Sequence, residues 1–333
     1  MSNWQEMLKE DPTAWLLEPE NQSARYFALL DLCGLAEDAP ELIKAREAVM
    51  LTGLVPEILS KQRDTAYEKG FVRFYHAKYW GLVWQLITLA ELGASSNDQI
   101  REQCEYLLNN AQRREDGGFS VASVVKGGGN SNTLPCLTGN MIRVLYHFGY
   151  EEDPRLEQAV TWLLDHIFLF DGEGAGLAHP IAKSKESCWG RHTCFHGAIK
   201  YLKGLAAIPQ QNRNQRIKEG ISALSEFFLL HHVFKRSHDL SIVSKPGWTK
   251  FGYPLMYQTD ALEILDILTS LDIKDPRMQE AVDLVRTKQG NDGRWTAQGT
   301  ANNSKLLCPL SQKQQDKLVT LRALRVLKRW GQA

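Results

Sequence analysis

The chain has 333 residues, 43% of them hydrophobic, enough to bury the core of one large domain or two ordinary ones. Its 39 Lys and Arg residues balance 39 Asp and Glu residues, so no net charge favours a nucleic acid or an anionic membrane surface as a partner. No segment approaches the roughly 20 apolar residues of a transmembrane helix, and the N-terminal segment does not resemble a signal peptide. We therefore expect a cytoplasmic protein whose six cysteines are core residues or metal ligands.

One pattern recurs along the chain: an apolar helical stripe, a short polar turn, and a second amphipathic stripe. Asp153 and Asp275, each followed by Pro, are typical helix starts. Strand-like alternation is nearly absent. The sequence predicts an all-α fold of about six helical hairpins, with residues 1–24 as an N-terminal extension and residues 25–333 as a single domain. The first stripes are residues 25–34, 81–93, 139–149, 197–206, 260–271 and 319–330, and the second stripes are residues 41–60, 98–112, 154–168, 214–231 and 275–289.

Long loops rich in glycine, aromatic and polar residues connect the hairpins. Loops of this length are usually functional. Each of them enters the first helix of the next hairpin, so we expect all of them at one end of the array, and the functional site with them. The loops are residues 116–138, 171–191, 237–258 and 291–317.

Two loops carry a shared signature. Residues 289–295 read QGNDGRW and residues 112–119 read QRREDGGF. Both resemble the QW motif of terpenoid cyclases, the second with Phe in place of Trp. Together with the hairpin repeat, they make the chain similar to the α/α toroid superfamily of squalene–hopene cyclases and protein prenyltransferase β subunits. The resemblance implies a barrel of inner helices ringed by outer helices. We expect Gln112, Phe119, Gln289 and Trp295 to serve structure, with each Gln amide bonding backbone groups of its neighbour.

The chain departs from these families in its catalytic motifs. It has neither the Asp-x-Asp-Asp acid of class II cyclases nor the Asp-Asp-x-x-Asp motif of class I terpene synthases. Prenyltransferase β subunits hold zinc through an Asp-x-Cys at the start of one inner helix and a His at the start of the next, and lantibiotic cyclases use Cys, Cys and His. This chain has the same residue types in a different arrangement, so the resemblance implies zinc but assigns no ligand by motif.

The segment 187–197, SCWGRHTCFHG, concentrates thiol, imidazole, guanidinium and indole groups just before an apolar helical run. If the hairpins close into a ring, the starts of the inner helices meet at its mouth. Zinc would then find ligands in Cys136, Cys188, His192 and Asp260. The alternative is a set of buried cysteines with a hydrogen-bonded histidine.

Residues at the same mouth could also act as catalytic acids or bases. His192 could act as a general acid or base, oriented by Asp260 or Tyr257. The alternatives are a packing histidine and a helix cap at Asp260. A pocket lined by aromatic and a few polar groups suits an apolar ligand with a polar head. The candidate substrate-binding residues are Tyr75, Tyr79, Trp84, Asn140, Trp189, Arg191, His196 and Tyr253.

The sequence thus favours a cyclase- or prenyltransferase-like enzyme that acts on an isoprenoid or other apolar substrate in the central cavity, with zinc as the expected cofactor if a metal is used. The alternative is a non-catalytic toroid that binds a hydrophobic ligand or a partner peptide. The substrate, the reaction and the oligomeric state stay open.

Overall fold

The computed structural model describes residues 4–64, 67–126, 132–170, 193–298 and 302–332. These residues are mostly helical, as predicted. Their α-helices are α1 (Thr13–Leu16), α2 (Gln22–Phe27), α3 (Pro40–Leu51), α4 (Leu54–Lys61), α5 (Glu68–Val72), α6 (Leu82–Glu91), α7 (Asp98–Asn110), α8 (Pro135–His147), α9 (Pro154–Asp165), α10 (Phe195–Ala206), α11 (Gln215–Leu230), α12 (Ala261–Ser270), α13 (Gln279–Thr287) and α14 (Gln312–Gly331).

Shorter elements join these helices. A π-helical turn, Ala28–Leu32, continues α2. The strands β1 (Lys235–Arg236) and β2 (Asp239–Val243) form an antiparallel hairpin in which Lys235 pairs with Val243. The 3-10 turns are Trp4–Met7, Val124–Lys126, Gln210–Asn212, Pro246–Thr249, Pro276–Met278 and Asn303–Lys305. Among the described residues, no helix is long and apolar enough to cross a membrane.

The helices fall into two alternating classes by burial. Nine of the ten residues of α6 are buried, whereas α7 buries five of its thirteen. A helix buried all round belongs in a protein interior, and an amphipathic helix belongs at its surface. We call α2 with its π-helical turn, α6, α8, α10, α12 and α14 the central helices, and α3, α7, α9, α11 and α13 the peripheral helices.

The central helices pack on one another in chain order. Helix α6 contacts α8, α8 contacts α10, α10 contacts α12, α12 contacts α14, and α14 contacts α2 and its π-helical turn. The end of α6 meets α2 as well, because a Cβ atom at Gly93 would lie 3.0 Å from the Phe27 ring. Each peripheral helix from α7 onwards packs on the central helix that precedes it. The N-terminal ends of several central helices consequently lie near one another.

Two glycines bring α8 and α10 close together. A Cβ atom at Gly139 would lie 2.2 Å from the carbonyl oxygen of Lys200, and one at Gly204 would lie 2.8 Å from the carbonyl oxygen of Gly139. Any larger residue at Gly139 would force the backbones apart. This close approach fixes the distance between α8 and α10, and with it the positions of their side chains relative to α6 and α12.

The predicted helix starts at Asp153 and Asp275 are confirmed. Asp153 accepts a hydrogen bond from the backbone N–H of Arg155 at 2.8 Å, and α9 begins at Pro154. Asp275 caps the 3-10 turn that leads into α13 in the same way, through the N–H of Arg277 at 2.9 Å. Both starts follow from local sequence because the cap acts within one turn.

The two QW-like segments have the same geometry. The Gln112 amide donates to the carbonyl of Gly117 in its own turn and to that of Arg155 at the start of α9, at 3.1 and 2.6 Å. The Gln289 amide donates likewise to the carbonyls of Gly293 and Glu10, both at 2.9 Å. Each Gln therefore ties its turn to a neighbouring segment, as the sequence predicts.

The aromatic residues of these segments are held in parallel ways. The backbone N–H of Phe119 donates to the Thr138 hydroxyl on α8 at 3.0 Å, and that of Trp295 donates to the Thr320 hydroxyl on α14 at 2.9 Å. Both rings are fully buried. Each segment thus joins the end of a peripheral helix to the next central helix.

Replacing Gly293 with Ala should destabilise the protein more than replacing Gly53. Both glycines have a positive φ, +78° and +85°. A Cβ atom at Gly293 would lie 2.5 Å from the Glu10 carbonyl oxygen, whereas nothing lies within 4 Å of one at Gly53. Gly53, with φ +85° and ψ −148°, is in a region that only glycine adopts readily, so we expect Gly53→Ala to cost about 1–3 kcal/mol and Gly293→Ala about 1–3 kcal/mol more because of the clash. Urea unfolding measures both, and equal free energies would contradict the clash.

Candidate functional site

Aromatic side chains surround an ammonium group where the central helices begin. The Lys78 Nζ atom lies 4.6 Å from the ring centroid of Tyr257, 4.9 Å from that of Tyr75 and 5.6 Å from that of Trp84. Such distances are typical of cation–π contacts. The Lys78 residue is exposed, so this group opens to solvent. We call Tyr75, Tyr79, Trp84 and Tyr257 the aromatic box.

Hydrogen bonds hold the aromatic box against the start of α6. The indole N–H of Trp84 donates to the Tyr75 carbonyl at 2.9 Å, and the Gln85 amide donates to the Tyr79 carbonyl at 3.0 Å. The Tyr79 ring stacks on Tyr257 at 6.3 Å, and its hydroxyl accepts a hydrogen bond from Gln258 at 3.0 Å. Burial raises the pKa of Tyr79, so its phenol is neutral at physiological pH.

His196 adds an imidazole to this aromatic box from the first turn of α10. Its ring centroid lies 6.0 Å from that of Tyr257. Burial lowers the pKa of His196 to about 4, helped by the charges of Lys245 and Lys200. Its buried Nδ1 atom has no hydrogen-bond partner among the described residues. His196 is therefore a neutral imidazole at physiological pH, and its buried Nδ1 atom keeps its hydrogen-bonding capacity unused within the described part of the chain.

Two other predicted substrate-binding residues, Asn140 and Tyr253, make contacts with residues outside the aromatic box. The Asn140 amide on α8 donates to the Met256 carbonyl at 3.2 Å, which ties α8 to the segment before α12. The Tyr253 ring is buried and lies 5.9 Å from the Arg322 guanidinium, away from the aromatic box. The predictions for Trp189 and Arg191 lie outside the described residues.

Asp260 is the N-cap of α12. Its Oδ1 atom accepts from the N–H of Glu263 at 2.8 Å, and its Oδ2 atom accepts from the N–H of Gly252 at 2.9 Å. The residue is 1% exposed, and burial raises its pKa to about 6. The structure thus agrees with the capping alternative. An acid–base or metal role for Asp260 stays a prediction.

The proposed zinc ligands are only partly within the described residues. Cys188 and His192 lie outside them, and Cys136 is buried in the first turn of α8. Within the described ranges, no group of three or more His, Cys, Asp and Glu side chains could hold a metal ion. Because both Asp260 oxygens already accept backbone N–H groups, Cys136 and Asp260 do not make a zinc site by themselves. Zinc stays a prediction that depends on Cys188 and His192.

A network of buried ion pairs lies between the central helices and reaches Glu91 at the C-terminal end of α6. The Lys200 ammonium contacts both carboxylate oxygens of Glu263 at 2.7 Å, and these side chains are 0% and 2% exposed. Lys203 bridges Glu263 and Glu91 at 3.0 and 2.6 Å, and Arg322 contacts Glu91 at 3.3 Å. The network thereby joins α6, α10, α12 and α14.

Opposite charges keep the acidic members of this network ionised. Burial acts to raise the pKa of Glu263, but the charges of Lys200 and Lys203 outweigh it and hold the pKa at about 2. Lys203 and Arg322 likewise lower the pKa of Glu91. Both carboxylates are therefore ionised at neutral pH, whereas burial lowers the pKa of Lys200 to about 8 despite its contact with Glu263.

The sequence carries a signal for this network that periodicity analysis of apolar residues misses. Lys200 and Lys203 stand in the apolar segment GAIKYLKGLA, and Glu263 and Asp266 stand in DALEILDILTSL. A helix that is apolar on all faces cannot place such charges in solvent, so they need partners on other helices. Charged residues three or four positions apart inside an apolar helix therefore indicate buried ion pairs with neighbouring helices.

Comparison with known proteins leaves the family open, since no protein-family model and no curated protein matches this chain. Function must therefore be argued from the side chains described above.

Replacing Glu263 with Gln should strongly destabilise the protein. The change leaves Lys200 buried without its carboxylate, and breaking a buried pair in this way costs about 3–5 kcal/mol. Glu226→Gln is the matched control, because its ion pair with Arg277 is half exposed and should contribute less than about 1 kcal/mol. Denaturant unfolding measures both variants. Similar losses would contradict the importance of the buried network.

Metal analysis tests the zinc hypothesis directly. Elemental mass spectrometry would compare purified wild-type protein with the Cys188→Ala/His192→Ala double variant. Near-stoichiometric zinc in the wild type that disappears in the variant is the expected result if these residues are ligands. Equal metal content in both samples would overturn the assignment.

Proposed function

We propose that the chain is an α/α toroid of the terpenoid cyclase and prenyltransferase class, and that the aromatic box binds an isoprenoid or other apolar substrate. The observation that carries this proposal is the set of aromatic rings around the Lys78 ammonium, at the common start of the central helices.

The order of helix contacts supports the toroid. Contacts run from α6 through α8, α10 and α12 to α14, return to α2, and close between Gly93 and Phe27. Peripheral helices alternate with these central helices along the chain. An inner ring surrounded by outer helices accounts for both features, and the equivalent contacts of Gln112 and Gln289 fit a repeated unit.

The chemistry of the aromatic box suits an isoprenoid. Ring faces attract both hydrocarbon and positive charge. The exposed Lys78 side chain can move aside, and the positive charge that develops on an allylic carbon of a prenyl diphosphate would then take its place. That charge forms when the C–O bond to the diphosphate breaks and the diphosphate leaves with the electron pair. The neutral His196 imidazole is placed to accept a proton from such a cation, which would convert it into an alkene.

The alternative is a non-catalytic toroid that holds an apolar ligand or a peptide. It is favoured by the engagement of both Asp260 oxygens in a helix cap. Incubation with polyprenyl diphosphates, followed by mass spectrometry of the organic extract, separates the two. New hydrocarbon or prenylated products support an enzyme, and saturable binding without products supports the alternative.

Ligand titration tests the aromatic box. Farnesol and a farnesyl trimethylammonium salt should quench tryptophan fluorescence saturably, and Tyr257→Ala should weaken binding of the ammonium roughly three- to thirtyfold. Tyr150→Ala is the control, because Tyr150 is also partly buried but lies at the surface near Arg101. Lys78→Met should tighten binding of the ammonium, since it removes a competing cation.

Two results would overturn this assignment of the box. One is equal weakening by the Tyr257 and Tyr150 substitutions, and the other is weaker ammonium binding in Lys78→Met. Neither result would depend on whether the protein is catalytic.

A further inference from the structure

A second pocket lies at the opposite end of the central helices from the aromatic box. Its volume is about 170 Å³. Trp84 and Glu91 mark the two ends of α6, seven residues and therefore about 10 Å apart along the helix. The pocket is lined by Glu91, Arg143, Lys203, Ala206, Ala207, Glu263, Asp266, Ile267, Ser270, Arg322, Arg325 and Arg329.

The lining of this pocket carries an excess of positive charge, because five of these side chains are cationic and three are acidic. Several cations have acidic partners: Arg329 contacts Asp266 at 2.8 Å, and Arg325 contacts Asp31, which lies outside the lining, at 2.5 Å. Arg322 contacts Glu91 at 3.3 Å and Asp266 at 3.7 Å, and Lys203 contacts Glu91 and Glu263, so the three acids of the lining are shared among several cations.

Two guanidinium groups in this lining keep donors that no described residue binds. Arg143 on α8 makes no hydrogen bond or ion pair with any described residue, although it lines the pocket. Arg322 is 6% exposed, and its buried Nη1 atom has no hydrogen-bond partner in the described part of the chain. A buried donor such as the Arg322 Nη1 atom is rare without a ligand or water to satisfy it, whereas Arg143 is half-buried beside it.

Helix dipoles explain only part of the charge. Cations near helix C-termini are favourable, and Lys328 and Arg329 do donate to the carbonyls of Asp31 and Asp266 at 2.8 and 3.2 Å. Arg143 and the Arg322 Nη1 atom donate to no such carbonyl. They therefore remain available to an anion inside the pocket.

The size and donor type define the ligand class. A volume of 170 Å³ corresponds to about six water molecules at ~30 Å³ each, below the roughly 300 Å³ of a typical small-molecule site. Guanidinium forks match the oxygens of phosphate. We propose that this pocket binds the phosphoryl group of a small phosphate-bearing ligand, with Arg143 and Arg322 as its donors. The proposal does not rest on the function assigned to the aromatic box.

Calorimetric titration at constant ionic strength tests the site. The probes are inorganic phosphate, pyrophosphate and glycerol 3-phosphate, with chloride as the background anion. We expect saturable binding of at least one probe, and the preferred probe distinguishes a free phosphate from a phosphate ester. Arg143→Gln should weaken that binding roughly ten- to hundredfold, because each charged hydrogen bond contributes about that factor.

Arg286→Gln is the matched control, since it removes the same charge from an exposed position on α13. Arg143 has no acidic partner to lose, so Arg143→Gln should fold, and Arg143→Lys, which keeps the charge but not the fork, should bind between the two. Failure of the wild-type protein to bind any probe would overturn the proposal. Equal weakening by the Arg143 and Arg286 substitutions would do so too, because it would indicate a general charge effect.

Discussion

The rest of the structure depends on the buried pair of Lys200 and Glu263. Two charges without water are tolerated only with good geometry and further partners. Both Glu263 oxygens contact Lys200, and Lys203 extends the pair to Glu91 on α6. These contacts fix the positions of α6, α10 and α12 relative to one another along their axes. The close backbone approach at Gly139 sets the position of α8 beside them.

This network divides the centre of the protein into two chemically different ends. The aromatic box lies at the start of α6, and the cationic pocket lies near Glu91 at its end. The ion pairs of Lys200 and Lys203 therefore separate an aromatic region from a cationic one within the length of α6.

Local signals in the sequence were reliable where the contact spans one turn or one motif. Asp153 and Asp275 cap as predicted, since a cap needs only its own next residues. The same logic extends to Asp260, for which capping was one of two interpretations. By contrast, no spacing in the sequence indicates that Lys78 contacts the Tyr257 ring, because the two residues are far apart in the chain.

The sequence by itself determined the helical class and the repeated pairs of helices, because these follow from periodicity. It also indicated that Gln112 and Gln289 bond backbone groups, but their partners Arg155 and Glu10 lie far away in the sequence and are known only from the structure. Only the tertiary structure decided which charges share the interior. Glu263 is 63 residues from Lys200, and no spacing rule pairs them. The packing of the central helices also decides that the Arg143 guanidinium has no partner among the described residues, because it places the nearby acids against other cations.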